Sequence, residues 1–173
     1  WLDDLPADVV VVLDPGTTFA DVPDDLQQRV LGRVDVWTSN LDEARSLTGQ
    51  SRMAVAAPLV AARIRPGGVA IVRDGPNGCV VHADATTTPV PGYPRTPVDT
   101  NGAGDTHTGV LLACRAAGDG WVESARRANA AGAIKVTRRG PASSPNAAEI
   151  DAFLAVERAE SATPARVPTP TAR

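Results

Sequence analysis

Continuous apolar runs alternate with stretches of helical spacing along most of this chain. Residues 8–13, Asp-Val-Val-Val-Val-Leu, are β-branched and apolar until Asp14-Pro15-Gly16. Such a run predicts a strand buried on both faces, as in a parallel sheet, and Pro and Gly end it. Residues 24–33 predict a short amphipathic helix with Leu26, Val30 and Leu31 on one face. Val34 to Thr38 predicts a second strand, and a helix starting at Ser39-Asn40 runs to about Thr48, where Gly49 stops it. Residues 52–64 predict an Ala-rich helix, broken by Pro66-Gly67-Gly68. Val69–Arg73 is a third core strand, Asp74-Gly75-Pro76-Asn77-Gly78 is turn chemistry, and Cys79–His82 returns as an antiparallel neighbour.

Residues 84–98 carry Pro89, Pro91, Pro94 and Pro97 among threonines, which forbids a helix and suits an extended, edge-lying connection. A helix opens at Gly104, Gly118-Asp119-Gly120 turns the chain, and Glu123 to about Val136 forms another Ala-rich helix. After a loop over 137–144, a last helix starts at Asn146 with Ile150, Phe153 and Leu154 as its apolar stripe. From about Ala159 almost nothing remains to bury, and a disordered tail is expected over 159–173. The alternation predicts an α/β layered fold with a mainly parallel sheet, as a single domain over residues 1–158.

Composition changes this picture little. Hydrophobic residues make up 43% of the chain and aromatics only 3%, so Ala and Val must pack helix closely on sheet. A net charge of −3 argues against nucleic acid or an anionic membrane as partner. Cys79, Cys114, His82 and His107 are too few and too scattered for a metal cluster, and a reducing cytoplasm is the expected setting. No stretch reaches transmembrane length or reads as a signal peptide. The chain begins with Trp1, and its first strand arrives at once, so a piece of a longer chain is expected.

The chemistry concentrates in Asp99-Thr100-Asn101-Gly102-Ala103-Gly104-Asp105-Thr106-His107-Thr108-Gly109. A Gly-rich turn opens a helix there, and the first helical turn carries a carboxylate. The first N–H groups of a helix lack internal partners and lie at the positive end of its dipole. Glycines let the backbone approach a ligand, so Gly102, Ala103, Gly104 and Asp105 form an anion cradle. A carboxylate repels a phosphate, but it suits a site where a hydroxyl must lose a proton as it attacks one. From spacing alone, a tight turn followed by an ordinary first-turn acid stays open beside that reading. A dinucleotide fingerprint fails because His107 stands where its third glycine belongs, and no Gly-Lys-Ser/Thr triplet exists for a P-loop.

This stretch resembles the C-terminal signature of the ribokinase (PfkB-type) family of carbohydrate kinases, which usually has Phe in place of His107. The resemblance implies a ribokinase-like fold whose N-terminal half and lid are missing here. It implies ATP-dependent phosphoryl transfer to an alcohol group of a sugar-like substrate, with Asp105 as general base and residues 102–105 as anion hole. Asn40 and Glu43 have capping-box spacing, and in the family an Asn-x-x-Glu pair also helps hold Mg²⁺ and phosphate oxygens through water. Gly75 and Gly78 match a hairpin lying over the nucleotide, Arg73 stands where Thr is common, and Asn129 matches a position beside the adenine. Asp99, Asn101, Lys135, Arg138, Gly140 and Ser144 match positions surrounding a monovalent cation such as K⁺. A homodimer is expected for the full-length parent. Two other classes remain: a non-catalytic nucleotide-binding fragment, and an interaction module with no ligand. Asp105 argues against both, since neither needs a base.

Overall fold

The structure, a computed structural model, describes residues 1–162. Five strands form one sheet in the order β1 (Val12–Leu13), β2 (Val36–Asn40), β3 (Val69–Arg73), β4 (Cys79–Ala83), β5 (Thr86–Val90). The first three run parallel, and β4 and β5 return antiparallel. The sheet is therefore mixed rather than mainly parallel. Its helices are α1 (Asp24–Leu31), α2 (Leu41–Thr48), α3 (Met53–Ala61), α4 (Ala103–Ala116), α5 (Trp121–Lys135) and α6 (Ala147–Ala162).

Strand periodicity sorts the core into two layers. Trp37, Ala70, Val72 and Val80 face one side, with Leu31, Ala44, Ala56, Ala57 and Val60 from α1, α2 and α3. Val36, Val69, Ile71, Cys79 and Val81 face the other, against Leu111 of α4 and Ala125 and Ala128 of α5. Neighbouring residues of one strand thus serve opposite cores, as the pleat requires. Trp37 is fully buried, meets Phe19 edge to face at 5.8 Å, and donates its indole N–H to Ser39 Oγ at 2.8 Å. Ile150 and Leu154 of α6 pack on Ala130 and Ala131 of α5.

Four sequence expectations change. The strand expected over 8–13 shrinks to Val12–Leu13, and Val10 is 64% exposed. β1 is an edge strand with one neighbour, and its ladder begins only where β2 does. The Asp35 carboxylate takes the Val11 N–H at 2.9 Å, and Val11 O accepts the N–H groups of Asp35 and Val36. The second strand lies two residues later than expected and runs into α2 without a loop. Part of the Thr/Pro stretch forms β5, where an edge position tolerates Pro89 and β-branched threonines favour the pleat. The tail expected from Ala159 starts inside α6, because Ala, Glu and Arg are strong helix formers even with nothing to bury. Residues 163–173 lie outside the described residues.

Candidate active site

The ends of β1, β2 and β3 converge on the first turn of α4, and Arg73 is the joint. Its Nε donates to Ser39 O (3.2 Å), Nη1 to Gly104 O (2.9 Å) and Nη2 to the Asp14 carboxylate (2.8 Å). Asp14 Oδ2 also accepts the Thr108 hydroxyl at 3.1 Å. Only 12% of the Arg73 side chain is exposed. The sequence reading put Arg73 among nucleotide contacts. In the fold all three of its guanidinium nitrogens are spent on tying strand ends to α4. Asp14 and Thr108 were missed entirely, since nothing local marks residues so distant in sequence as partners.

Gly102 caps α4 in a left-handed conformation, φ 75° and ψ 7°. A Cβ there would come within 2.8 Å of Pro141 O, so both the backbone angle and the neighbour demand glycine. Its carbonyl accepts the Thr106 N–H at 2.9 Å. The Ala103 N–H turns back onto Thr100 O at 3.1 Å, which removes Ala103 from the expected set of free donors. Among the described residues no acceptor takes the N–H of Gly102, Gly104 or Asp105. The Asp105 side chain is exposed and has no hydrogen-bond or ion-pair partner among the described residues. An unengaged acid thus stands beside unengaged donors at the positive end of a helix.

The loop after α5 supports the cradle from behind. Asp99 Oδ1 accepts the Asn101 N–H at 3.0 Å and Oδ2 the Gly140 N–H at 2.8 Å. These two bonds hold the Asp99 carboxyl below the usual carboxylate range. The Thr106 and Ser144 hydroxyls share a hydrogen bond at 2.6 Å, Arg138 pairs with Glu149, and Lys135 Nζ donates to Asp99 O at 2.9 Å.

At the end of β2, Asn40 and Glu43 form the full capping box. Asn40 Oδ1 accepts the Glu43 N–H at 2.8 Å, and Glu43 Oε2 accepts the Asn40 N–H at 2.9 Å. Glu43 Oε1 keeps no partner among the described residues. Glu43 also lines a cavity of about 220 Å³ with Pro15, Gly16, Thr17, Trp37 and Arg63.

The hairpin glycines divide. Gly75 (φ 48°) has open space where a Cβ would stand, so a ligand can approach it. A Cβ on Gly78 (φ 87°) would lie 2.3 Å from Gly92 N and Val90 O. The close approach of the chain at and beyond the end of β5 therefore requires glycine at position 78.

Asn129 is buried, 8% exposed, rather than on the surface. Its amide nitrogen donates to Val90 O (3.1 Å) and Pro91 O (3.0 Å), so its oxygen accepts from His107 Nε2–H at 3.0 Å. Its amide thus clamps the end of β5. Burial and the nearby Arg73 charge push His107 down to about 3 against a smaller upward effect of the Asn129 bond, and its Nδ1 has no hydrogen-bond partner among the described residues. Burial likewise pushes the Cys79 thiol up to about 12.

Together these features define an α/β protein with unengaged N–H groups at a helix start and an exposed acid at the ends of its parallel strands, where ligands of open sheets collect. A family model for pfkB carbohydrate kinases matches residues 7–148, and the chain belongs to that family. The uncharacterized sugar kinase YegV of Escherichia coli K12 is 29% identical over 87% of this chain and 47% of that protein. A candidate ribokinase II from E. coli, solved with ATP and Mg²⁺, is 30% identical with a TM-score of 0.74, covering 85% of this chain and 49% of that one. A fructokinase double mutant from Vibrio cholerae O395, solved with fructose, ADP and potassium, is 28% identical with a TM-score of 0.69 (84% and 50% covered). The expectation of a C-terminal part alone is not borne out by the family match, which runs along most of the chain. The chain nevertheless spans about half the length of these relatives.

Proposed function

We propose that this chain serves ATP-dependent phosphoryl transfer to an alcohol group of a sugar or sugar-like substrate. One observation carries the reading: among the described residues the exposed Asp105 side chain has no partner, and no acceptor takes the N–H groups directly beside it. The hydroxyl proton passes to an Asp105 carboxylate oxygen as the hydroxyl oxygen attacks the γ-phosphorus, and the bond from that phosphorus to the β–γ bridging oxygen breaks, releasing ADP. The N–H groups of Gly102, Gly104 and Asp105 face the charge on the transferring group. Arg73 does not touch substrate in this scheme; it fixes where α4 begins. Mg²⁺ carried with ATP supplies charge neutralisation. Glu43, with one carboxylate oxygen unspent by its cap, and Asn40 would hold it through water.

The test replaces Asp105 by Asn in the polypeptide as its gene encodes it. Sugar-dependent ADP formation is expected to fall about 10²- to 10⁴-fold, with Mg·ATP affinity by calorimetry unchanged. Undiminished turnover rules out the base. Because the chain spans about half the length of its relatives, a second reading has support: a non-catalytic nucleotide-binding fragment. That reading expects Mg·ATP binding without ADP release for any sugar.

A further inference from the structure

Lys135 is 0% exposed, and its Nζ donates to the carbonyl oxygen of Asp99 at 2.9 Å. No carboxylate makes a direct salt bridge with it among the described residues, and the Asp99 carboxylate interacts with it only at longer range. Burying an ammonium without an ion pair is costly, so its place in the fold needs a reason. Asp99 opens the segment that becomes the cradle. Its backbone N–H and that of Val98 rest on Val136 O, one residue beyond Lys135. Lys135 therefore joins the end of α5 to the start of the anion-binding turn with a single positive charge.

Asp99, Lys135, Gly140 and Ser144 are among the positions where the family resemblance implies a free monovalent cation, and the residues present do not fit one. A cation on Asp99 O would share that oxygen with the ammonium, leaving two like charges within a few ångströms of each other. Two other oxygens of the set are already engaged: Gly140 O accepts the Ser143 hydroxyl at 2.7 Å, and Ser144 Oγ is paired with Thr106 Oγ1.

We propose that Lys135 is a built-in cation, whose ammonium replaces a free monovalent ion in ordering the Asp99–Gly104 turn. It is a positioning residue, and the proposal rests on the phosphotransferase reading for its kinetic arm only. The full-length wild type is expected to melt at the same temperature in K⁺, Na⁺ or tetramethylammonium at constant ionic strength. Its kcat and KM for ATP should likewise not depend on which ion is present. Lys135→Met is expected to lose on the order of 10- to 100-fold in kcat through a misplaced cradle, and to acquire partial rescue by K⁺ or NH₄⁺. Its melting temperature should rise saturably with either ion. A wild type that K⁺ stabilises saturably overturns the proposal, as does a folded Lys135→Met with no gain of K⁺ response. If that variant does not fold, the wild-type melts decide alone. Those melts need no turnover, so failure of the kinase reading leaves this test intact.

Discussion

His107 shows how one residue can serve structure at a cost in pH tolerance. Its Nε2–H holds Asn129, which holds the end of β5, while Nδ1 lies buried with no hydrogen-bond partner among the described residues. Its pKa falls from 6.5 to about 3 on folding, so between those values the unfolded chain binds a proton that the folded chain refuses. Its contribution is complete above about pH 6.5 and is lost as pH falls toward 3, at up to about 1.4 kcal/mol per pH unit. Urea midpoints measured from pH 7.5 to 4.5 are expected to drop accordingly, and His107→Phe should flatten that slope. Nothing in the local pattern distinguished this histidine, because its partner lies on another helix.

At the scale of elements, the β3–β4 hairpin is seated rather than free. Gly78 lies against Gly92 so closely that any side chain must push backbone aside, whereas Gly75 faces open space. Gly78→Ala is expected to destabilise by more than about 3 kcal/mol. Gly75→Ala should cost only about 1–2 kcal/mol, the penalty of its left-handed backbone. Thermal melts of the two variants check the contrast; equal losses would show that the packing against Gly92 is not the constraint. Helix boundaries followed local chemistry more faithfully. The Asn40 cap, the Glu43 counterpart and the left-handed Gly49 stop all lie where the sequence puts them, since each acts over a few residues. Strand limits did not follow so closely. Val9 and Val10 read as strand, but a strand needs a neighbour, and theirs begins only at Val36.

At the scale of the molecule, Arg73 decides whether separate elements make one site. Through Ser39, Asp14 and Gly104 it connects three strand ends to the cradle helix, and through Asp14 it reaches Thr108. Arg73→Met keeps the stem's apolar packing and removes the connection. Turnover is expected to fall on the order of 10²-fold through misplacement of Asp105. Stability should fall as well, because Asp14 loses its counter-charge. Steady-state kinetics with a parallel urea titration separate the two effects; unchanged kcat in a destabilised variant would reduce Arg73 to a structural tie.

Local rules in the chain already specified which segments are helix or buried strand, the caps of α2, and the acid beside a glycine-lined helix start. Those features depend on neighbours a few residues away and on apolar periodicity, both written along one dimension. The tertiary structure alone decided what stands opposite what: Gly78 against Gly92, Asn129 beneath β5, Arg73 on Asp14, the Lys135 ammonium on Asp99. These contacts join residues far apart in sequence, and periodicity records which side of an element is buried, not which partner buries it.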